Sequence, residues 1–178
     1  MYEPAEDSYL LVEVLKKHFE NKNGEKALDV GIGSGIIAKE LQKHVEEVHG
    51  ADIDENVINT LKKEEPNLTL YKSNLFENIP KKNQYDVITF NAPYLPGKRT
   101  KEAIDLVGGK EGVEVSNEFL RQATRYLKKD GYIFLVASNH SNLKLLFKTG
   151  KEVGFVIEEV SKIHIFFEDI IVYKIQWK

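Results

Sequence analysis

Cysteine is absent from the 178-residue chain, which excludes a disulfide framework and any zinc or iron–sulfur site held by thiolates. Long hydrophobic runs are missing too: nowhere do roughly 18 apolar residues follow one another, the length a spanning helix needs. The opening stretch MYEPAEDSYLLVEVL is acidic where a secretory signal would be basic. Nor is there an excess of positive charge. Lys and Arg number 25 against 28 Asp and Glu, for a net charge of −3 and an isoelectric point near 6.0. This balance argues against a surface that clamps nucleic acid throughout, while a local basic patch stays compatible with it. Internal repeats and low-complexity stretches are also lacking. What is present is ordinary for a soluble globular protein, with 42% hydrophobic and 30% charged residues. A chain of this size buries roughly 70% of its unfolded surface, enough for a core without staples. The expectation is one soluble, cytoplasmic domain over residues 1–178.

Hydrophobic spacing predicts the order of elements. Leu10, Leu11, Val14, Leu15 and Phe19 form one stripe of a helix over 6–19. Residues 26–30 (KALDV) read as a strand running into glycines, and Ile36, Ile37, Leu41 and Val45 as a helix. Val48–Ile53 reads as a second strand; Val57, Ile58 and Leu61 mark a helix stopped by Pro66. Leu68–Tyr71 predicts a short third strand, and Tyr85–Phe90 a fourth, apolar enough to be central. Residues 91–112 read as a long loop, a length that usually signals function. A helix to about Lys129, closed by Asp130-Gly131, precedes a strand at 132–137 and a helix at 142–153. The tail, Phe155 to Trp177, breaks at Glu168-Asp169 and predicts an antiparallel hairpin. The sum is an α/β sheet of seven strands covered on both faces.

In such sheets ligands sit beyond the carboxyl ends of the strands, so chemistry is sought there. After the first strand comes Asp29-Val30-Gly31-Ile32-Gly33-Ser34-Gly35. Glycines permit a tight turn and bring backbone N–H groups close to a ligand. The dinucleotide fingerprint G-x-G-x-x-G fails, because its sixth position is Ile36. A ligand without phosphates fits the spacing better, and an ordinary glycine-rich turn is the plain alternative. Asp52, 21 residues past Gly31, stands where a carboxylate accepts hydrogen bonds from a ribose diol. Asp54 reads instead as a cap of the next helix. Asn74 could face an exocyclic amine and a ring acceptor, with Leu75 against a flat base. Asn91-Ala92-Pro93-Tyr94 is the most specific feature. A side-chain carbonyl and the next backbone carbonyl can converge on one planar NH₂ group and accept both hydrogens. Pro93 biases Ala92 toward extended backbone, and Tyr94 offers a flat face for stacking.

These four segments, in this order, resemble a class I S-adenosylmethionine-dependent methyltransferase of the branch that methylates planar NH₂ groups. The N-terminal Tyr2-Glu3-Pro4-Ala5-Glu6-Asp7-Ser8 and the later Gly108-Gly109-Lys110-Glu111-Gly112 narrow the resemblance to the HemK-like family of eukaryotes and archaea, release-factor glutamine N5-methyltransferases. The resemblance implies a Rossmann-like seven-stranded mixed sheet with helices on both faces and a C-terminal antiparallel hairpin. It implies S-adenosyl-L-methionine as cofactor, lined by Ser8, Asp29, Gly31, Gly33, Asp52, Asn74, Leu75 and Asn91. Asn91, Pro93 and Tyr94 would hold the acceptor amide, without any metal. It implies a release factor as protein substrate, and a small zinc-binding activator subunit paired at the edge strand Leu68-Tyr71. The bacterial relatives' N-terminal docking domain is expected to be lacking. Two positions depart from the family pattern: Ala92 stands where proline is usual, and Asn74 where aspartate is usual.

Three other readings stay open on the sequence. The same two carbonyls would serve an adenine or guanine amine of a flipped base, with Lys98-Arg99-Thr100-Lys101 near phosphates; the net charge and the lack of a target-recognition segment oppose this. A lysine amine is a second acceptor. An inactive methyltransferase-like scaffold is a third reading, supported only by Ala92. The five histidines, at 18, 44, 49, 140 and 164, are scattered and read as surface or packing residues.

Overall fold

Apolar stripes at helical spacing alternate with short β-branched runs, and the computed structural model, which describes residues 4–82, 84–101 and 103–178, turns them into a layered α/β fold. The elements in order are α1 (Glu6–Phe19), β1 (Gly24–Val30), α2 (Ile36–Leu41), β2 (Val45–Asp52), α3 (Glu55–Glu64), β3 (Thr69–Lys72) and β4 (Tyr85–Asn91). There follow β5 (Leu95–Pro96), β6 (Val107–Gly109), α4 (Glu114–Ala123), β7 (Leu127–Ser138), α5 (Leu143–Glu152), β8 (Phe155–Ile165) and β9 (Glu168–Trp177). Tyr2 and Glu3 of the N-terminal motif lie outside the described residues.

Seven strands form one sheet in the order β3-β2-β1-β4-β7-β9-β8. The first five run parallel, and β9 and β8 are antiparallel to their neighbours. This is the mixed sheet expected from the sequence. One face packs α1, α2 and α3 through Leu11, Leu15, Ile37, Leu41, Ile58 and Leu61. The other packs α4 and α5 through Phe119, Leu120 and Leu146. Burying each such side chain stabilises the fold by ~1.5–3 kcal/mol. Strand order reverses at β1, with β2 and β3 laid to one side and β4 to the other, which leaves a crevice above the carboxyl ends of those parallel strands, and the site lies there.

Five boundaries differ from the sequence expectation. Val45 opens β2 rather than ending a helix: α2 closes in a turn through Gln42 and His44, and Gly24 N–H then pairs with the His44 carbonyl. Similarly α4 stops at Ala123, and the Tyr126 carbonyl accepts from Tyr85 N–H before β7 begins. Asp130-Gly131 is therefore inside β7, at a register shift against β4. A Cβ on Gly131 would lie 3.0 Å from the Tyr85 and Asp86 carbonyl oxygens, so close backbone approach, not a helix end, calls for glycine. Residues 91–112 are not an open loop: β5 and β6 pair in parallel, with Leu95 N–H donating to Leu106 and Gly97 N–H to Gly109. The third strand is one residue later than expected, and Leu68 is core. Finally, the C-terminal hairpin turns at Phe166-Phe167, two residues before the expected break.

Candidate active site

The glycine turn after β1 uses the backbone freedom that glycine alone offers cheaply. Gly31, Gly33 and Gly35 all have positive φ, at 65°, 48° and 78°, and the last of them begins α2. A Cβ on Gly31 would meet the Phe90 ring at 3.3 Å. The turn thus lies against the end of β4, and a cleft open to solvent extends over both.

Nine of the ten residues singled out from the sequence line this cleft: Ser8, Gly31, Gly33, Asp52, Asn74, Leu75, Asn91, Pro93 and Tyr94. Asp29 is the exception. It is fully buried beneath the turn, and Thr89 Oγ1 donates to its Oδ1 at 2.8 Å. The other oxygen, Oδ2, has no partner. Burial pushes its carboxyl up to about 7, against the stabilising Thr89 bond. Asp29 is thus absent from the cleft lining, and its recorded side-chain bond ties β1 to Thr89 of β4.

Asp52 ends β2, at the lip of the cleft. Its Oδ2 accepts from Gly33 N–H at 3.0 Å and its Oδ1 from Asp54 N–H at 2.9 Å. Burial raises its pKa, the two amides oppose that, and the nearby Asp105 and Asp54 charges add to the rise. Each oxygen keeps a lone pair for a diol. Asp54 is the N-cap of α3, accepting from Asn56 N–H at 2.8 Å, as its spacing suggested, and it also lines the cleft. Asn74 donates to Glu77 Oε1 at 3.0 Å. Leu75 has φ of 50°, a backbone state costly for a branched side chain and commonest at functional sites.

At the end of β4, Asn91 Nδ2 donates to Ser8 Oγ at 3.2 Å, tying the strand to the first turn of α1. Its Oδ1 is buried and unpartnered. A buried amide oxygen without a partner costs about 1–3 kcal/mol, which a donor from a ligand would recover. Ala92 is buried in the cleft wall, followed by Pro93. Tyr94 OH donates to Asp7 Oδ2 at 3.2 Å, and the Tyr94 carbonyl accepts from Ser141 Oγ at 2.6 Å. The glycine-rich segment at 108–112 closes the same corner. A Cβ on Gly108 would meet the Pro93 carbonyl oxygen at 2.4 Å, and one on Gly112 the Tyr94 carbonyl oxygen at 2.5 Å. Glycines there let the segment press on Pro93-Tyr94 from behind.

Sequence reasoning missed several lining residues. Ile53, beside Asp52, is 46% exposed, an unusual position for isoleucine and a signal available in hindsight. Arg99, Ile104, Asp105 and Leu106 come from the segment between β5 and β6, which folds back over the cleft. Arg99 was singled out in sequence only as part of the basic cluster 98–101, and the placement of the other three depends on that pairing and leaves no mark in local pattern.

The residues present fit S-adenosylmethionine. Asp52 with both carboxylate oxygens held by backbone amides, an apolar wall of Ile53 and Leu75, and the unpartnered amide oxygen of Asn91 belong to one cleft, a set that suits a nucleoside bearing a sulfonium. Comparison with known proteins agrees with this fit. A family model described as methyltransferase small domain matches residues 6–166. A relative from Methanocaldococcus jannaschii, with the provisional name protein N5-glutamine methyltransferase, is 32% identical over 97% of this chain and 89% of its own. The eRF1 methyltransferase catalytic subunit of Schizosaccharomyces pombe is 28% identical over 91% of this chain and 83% of its own. Among solved structures, a chain of the E. cuniculi Mtq2-Trm112 complex superposes with a TM-score of 0.81 at 24% identity, covering 99% of this chain and 98% of that one.

Proposed function

The chain belongs to the methyltransferase small domain family and is a methyltransferase that uses S-adenosylmethionine, and from that premise we propose that its acceptor is a glutamine side-chain amide in a peptide chain release factor. The buried, unpartnered Oδ1 of Asn91 carries this reading. An amide nitrogen is a poor nucleophile because its lone pair is delocalised. With Asn91 Oδ1 taking one N–H and the Ala92 carbonyl the other, the nitrogen gains electron density and is held in one orientation. The cofactor supplies a methyl group on a positively charged sulfur, which leaves as a neutral thioether. Tyr94, held by Asp7 and Ser141, presents its ring to the flat amide. Asp52 holds the ribose diol, Asn74 and Leu75 the adenine, and Asp29 ties β1 to Thr89 of β4. No proton-transferring side chain is needed before transfer: the neutral nitrogen attacks, the thioether leaves, and the methylated amide then sheds one N–H proton to water, so orientation and electrostatics account for the rate. The names of the relatives support a release-factor substrate, which would place the protein in the cytoplasm with translation.

The reading extends to a partner. β3 is an edge strand, paired only with β2, and a free edge accepts a strand from another chain. A small activator protein, zinc-binding as the resemblance implies, would pair there. The related structure, a complex of Mtq2 with Trm112, supports a protein partner.

Asn91→Ala tests the acceptor geometry. Turnover on release factor should fall by about 10²–10³, the usual cost of one aligned electrostatic contact. Cofactor affinity by calorimetry should change far less. Turnover within about threefold of wild type would mean that the acceptor is held elsewhere.

A further inference from the structure

We propose that the exposed β8–β9 tip, Phe166-Phe167, is a docking point for the protein substrate whose glutamine enters the cleft; this rests on the acceptor reading above. Phe166 is 89% and Phe167 88% exposed, far more than any other large apolar side chain among the described residues. Isolated exposed hydrophobics are common, but two adjacent phenyl rings at a turn apex are not a neutral choice. Phe166 also has φ of 54°. Glycine or asparagine would take that conformation without strain, so phenylalanine is held there at a cost to stability. Among the described residues the only other non-glycine with positive φ is Leu75, inside the cleft.

Topology puts the tip on the catalytic rim. Asn91 pairs with Val136 of β7, and Val136 with Val172 of β9. Phe167 is five positions before Val172, so at a strand rise of ~3.3 Å the tip stands ~16 Å beyond the level of Asn91. It is two strand spacings, ~10 Å, to the side. The tip is also tied to the acceptor corner. Ser138 Oγ donates to Glu168 Oε1 at 2.6 Å, and Asn139 and Asp169 exchange two hydrogen bonds. Three residues after Ser138, Ser141 holds the Tyr94 carbonyl. Behind the tip, Ile163 and Ile165 pack into the core layer that contains α1. The two rings are thus mounted on a braced arm and not on a loose loop.

The occupant follows from this continuity. An acceptor side chain fills the cleft alone, while the protein carrying it must lie across the rim. A stable protein contact needs ~800 Å² per partner, more than one glutamine provides. Exposed aromatics entering an apolar recess are the usual energetic centre of such contacts. The partner surface is therefore an apolar recess on the substrate, roughly 20 Å from the methylated glutamine by the spacings above.

The test is the double substitution Phe166→Ser with Phe167→Ser, in the enzyme together with any subunit that co-purifies. Because neither ring is packed, the variant should fold with an unchanged or higher Tm. On full-length release factor its KM should rise tenfold or more, with kcat and cofactor affinity unchanged. An unchanged KM in the folded variant would overturn the docking role, as would a fall in kcat at constant KM. A wild-type enzyme that methylates no release factor would instead overturn the acceptor reading, and the docking role with it.

Discussion

At the scale of single residues, Asp29 and Asn91 show how burial separates two polar groups that the sequence places in neighbouring motifs. Both sit at or near strand ends, and both have an oxygen without a partner. Asn91 lines the cleft, and its buried Oδ1 is the oxygen that the acceptor reading assigns to a substrate. Asp29 lies below the turn, where low dielectric disfavours its charge and raises its carboxyl to about 7. A raised acid pKa has a definite sign. The folded state holds the proton between the unfolded pKa, ~3.9, and about 7, so the contribution of Asp29 is fully present below ~3.9 and lost as pH rises through about 7. Asp29→Asn removes this slope. The stability of the variant relative to wild type should therefore improve from about pH 4 to about pH 8, by at most ~4 kcal/mol. Thermal unfolding across that range checks it, and a difference that does not vary with pH would refute the buried-acid account. Asp52 and Asn91 were legible in the sequence because strand ends are marked by the change from apolar run to polar residue. Asp105 and Leu106 were not, because their place in the cleft depends on a two-strand pairing across residues 95–109.

At the scale of elements, hydrophobic period found every strand of the main sheet and all five helices, with errors at their ends. The errors share one cause. Leu41 and Val45 are four residues apart, the helical spacing, yet the chain turns between them so that Val45 pairs beside Gly24. Tyr126 and Leu127 continue an apolar helix pattern, yet the Tyr126 carbonyl is taken by Tyr85 N–H. Strand pairing overrode local period in both. The edge strand β3 gives a prediction of its own. Ser73 N–H donates to the Asp52 carbonyl, so by strand alternation Leu70 N–H points away from β2, toward a partner. Leu70→Pro should remove that donor while leaving the β2 pairing intact, since proline is tolerated on edge strands. Loss of co-purifying activator with a cooperative unfolding transition retained is the expected result. Retention of the activator in stoichiometric amount would show that it binds elsewhere. Leu68, included in the edge from sequence, is buried and belongs to the core, so its substitution would test folding instead.

At the scale of the whole molecule, the sheet order brings together four segments far apart in sequence. The first turn of α1, the glycine turn, the end of β2 and the end of β4 all meet above one crevice. That convergence was readable in advance because strands joined through helices run parallel, which puts their carboxyl ends on one side. The net charge of −3 and a cleft carrying Asp7, Asp52, Asp54 and Asp105 against Arg99 suit a cationic cofactor better than a polyanionic substrate. Transfer of labelled methyl from S-adenosylmethionine to purified release factor, followed by mapping of the modified peptide, tests the account most directly. The account predicts a single labelled glutamine, with the label on its side-chain nitrogen and lost in Asn91→Ala. Label on a lysine or on a nucleic-acid base, with the release factor unmodified, would contradict it.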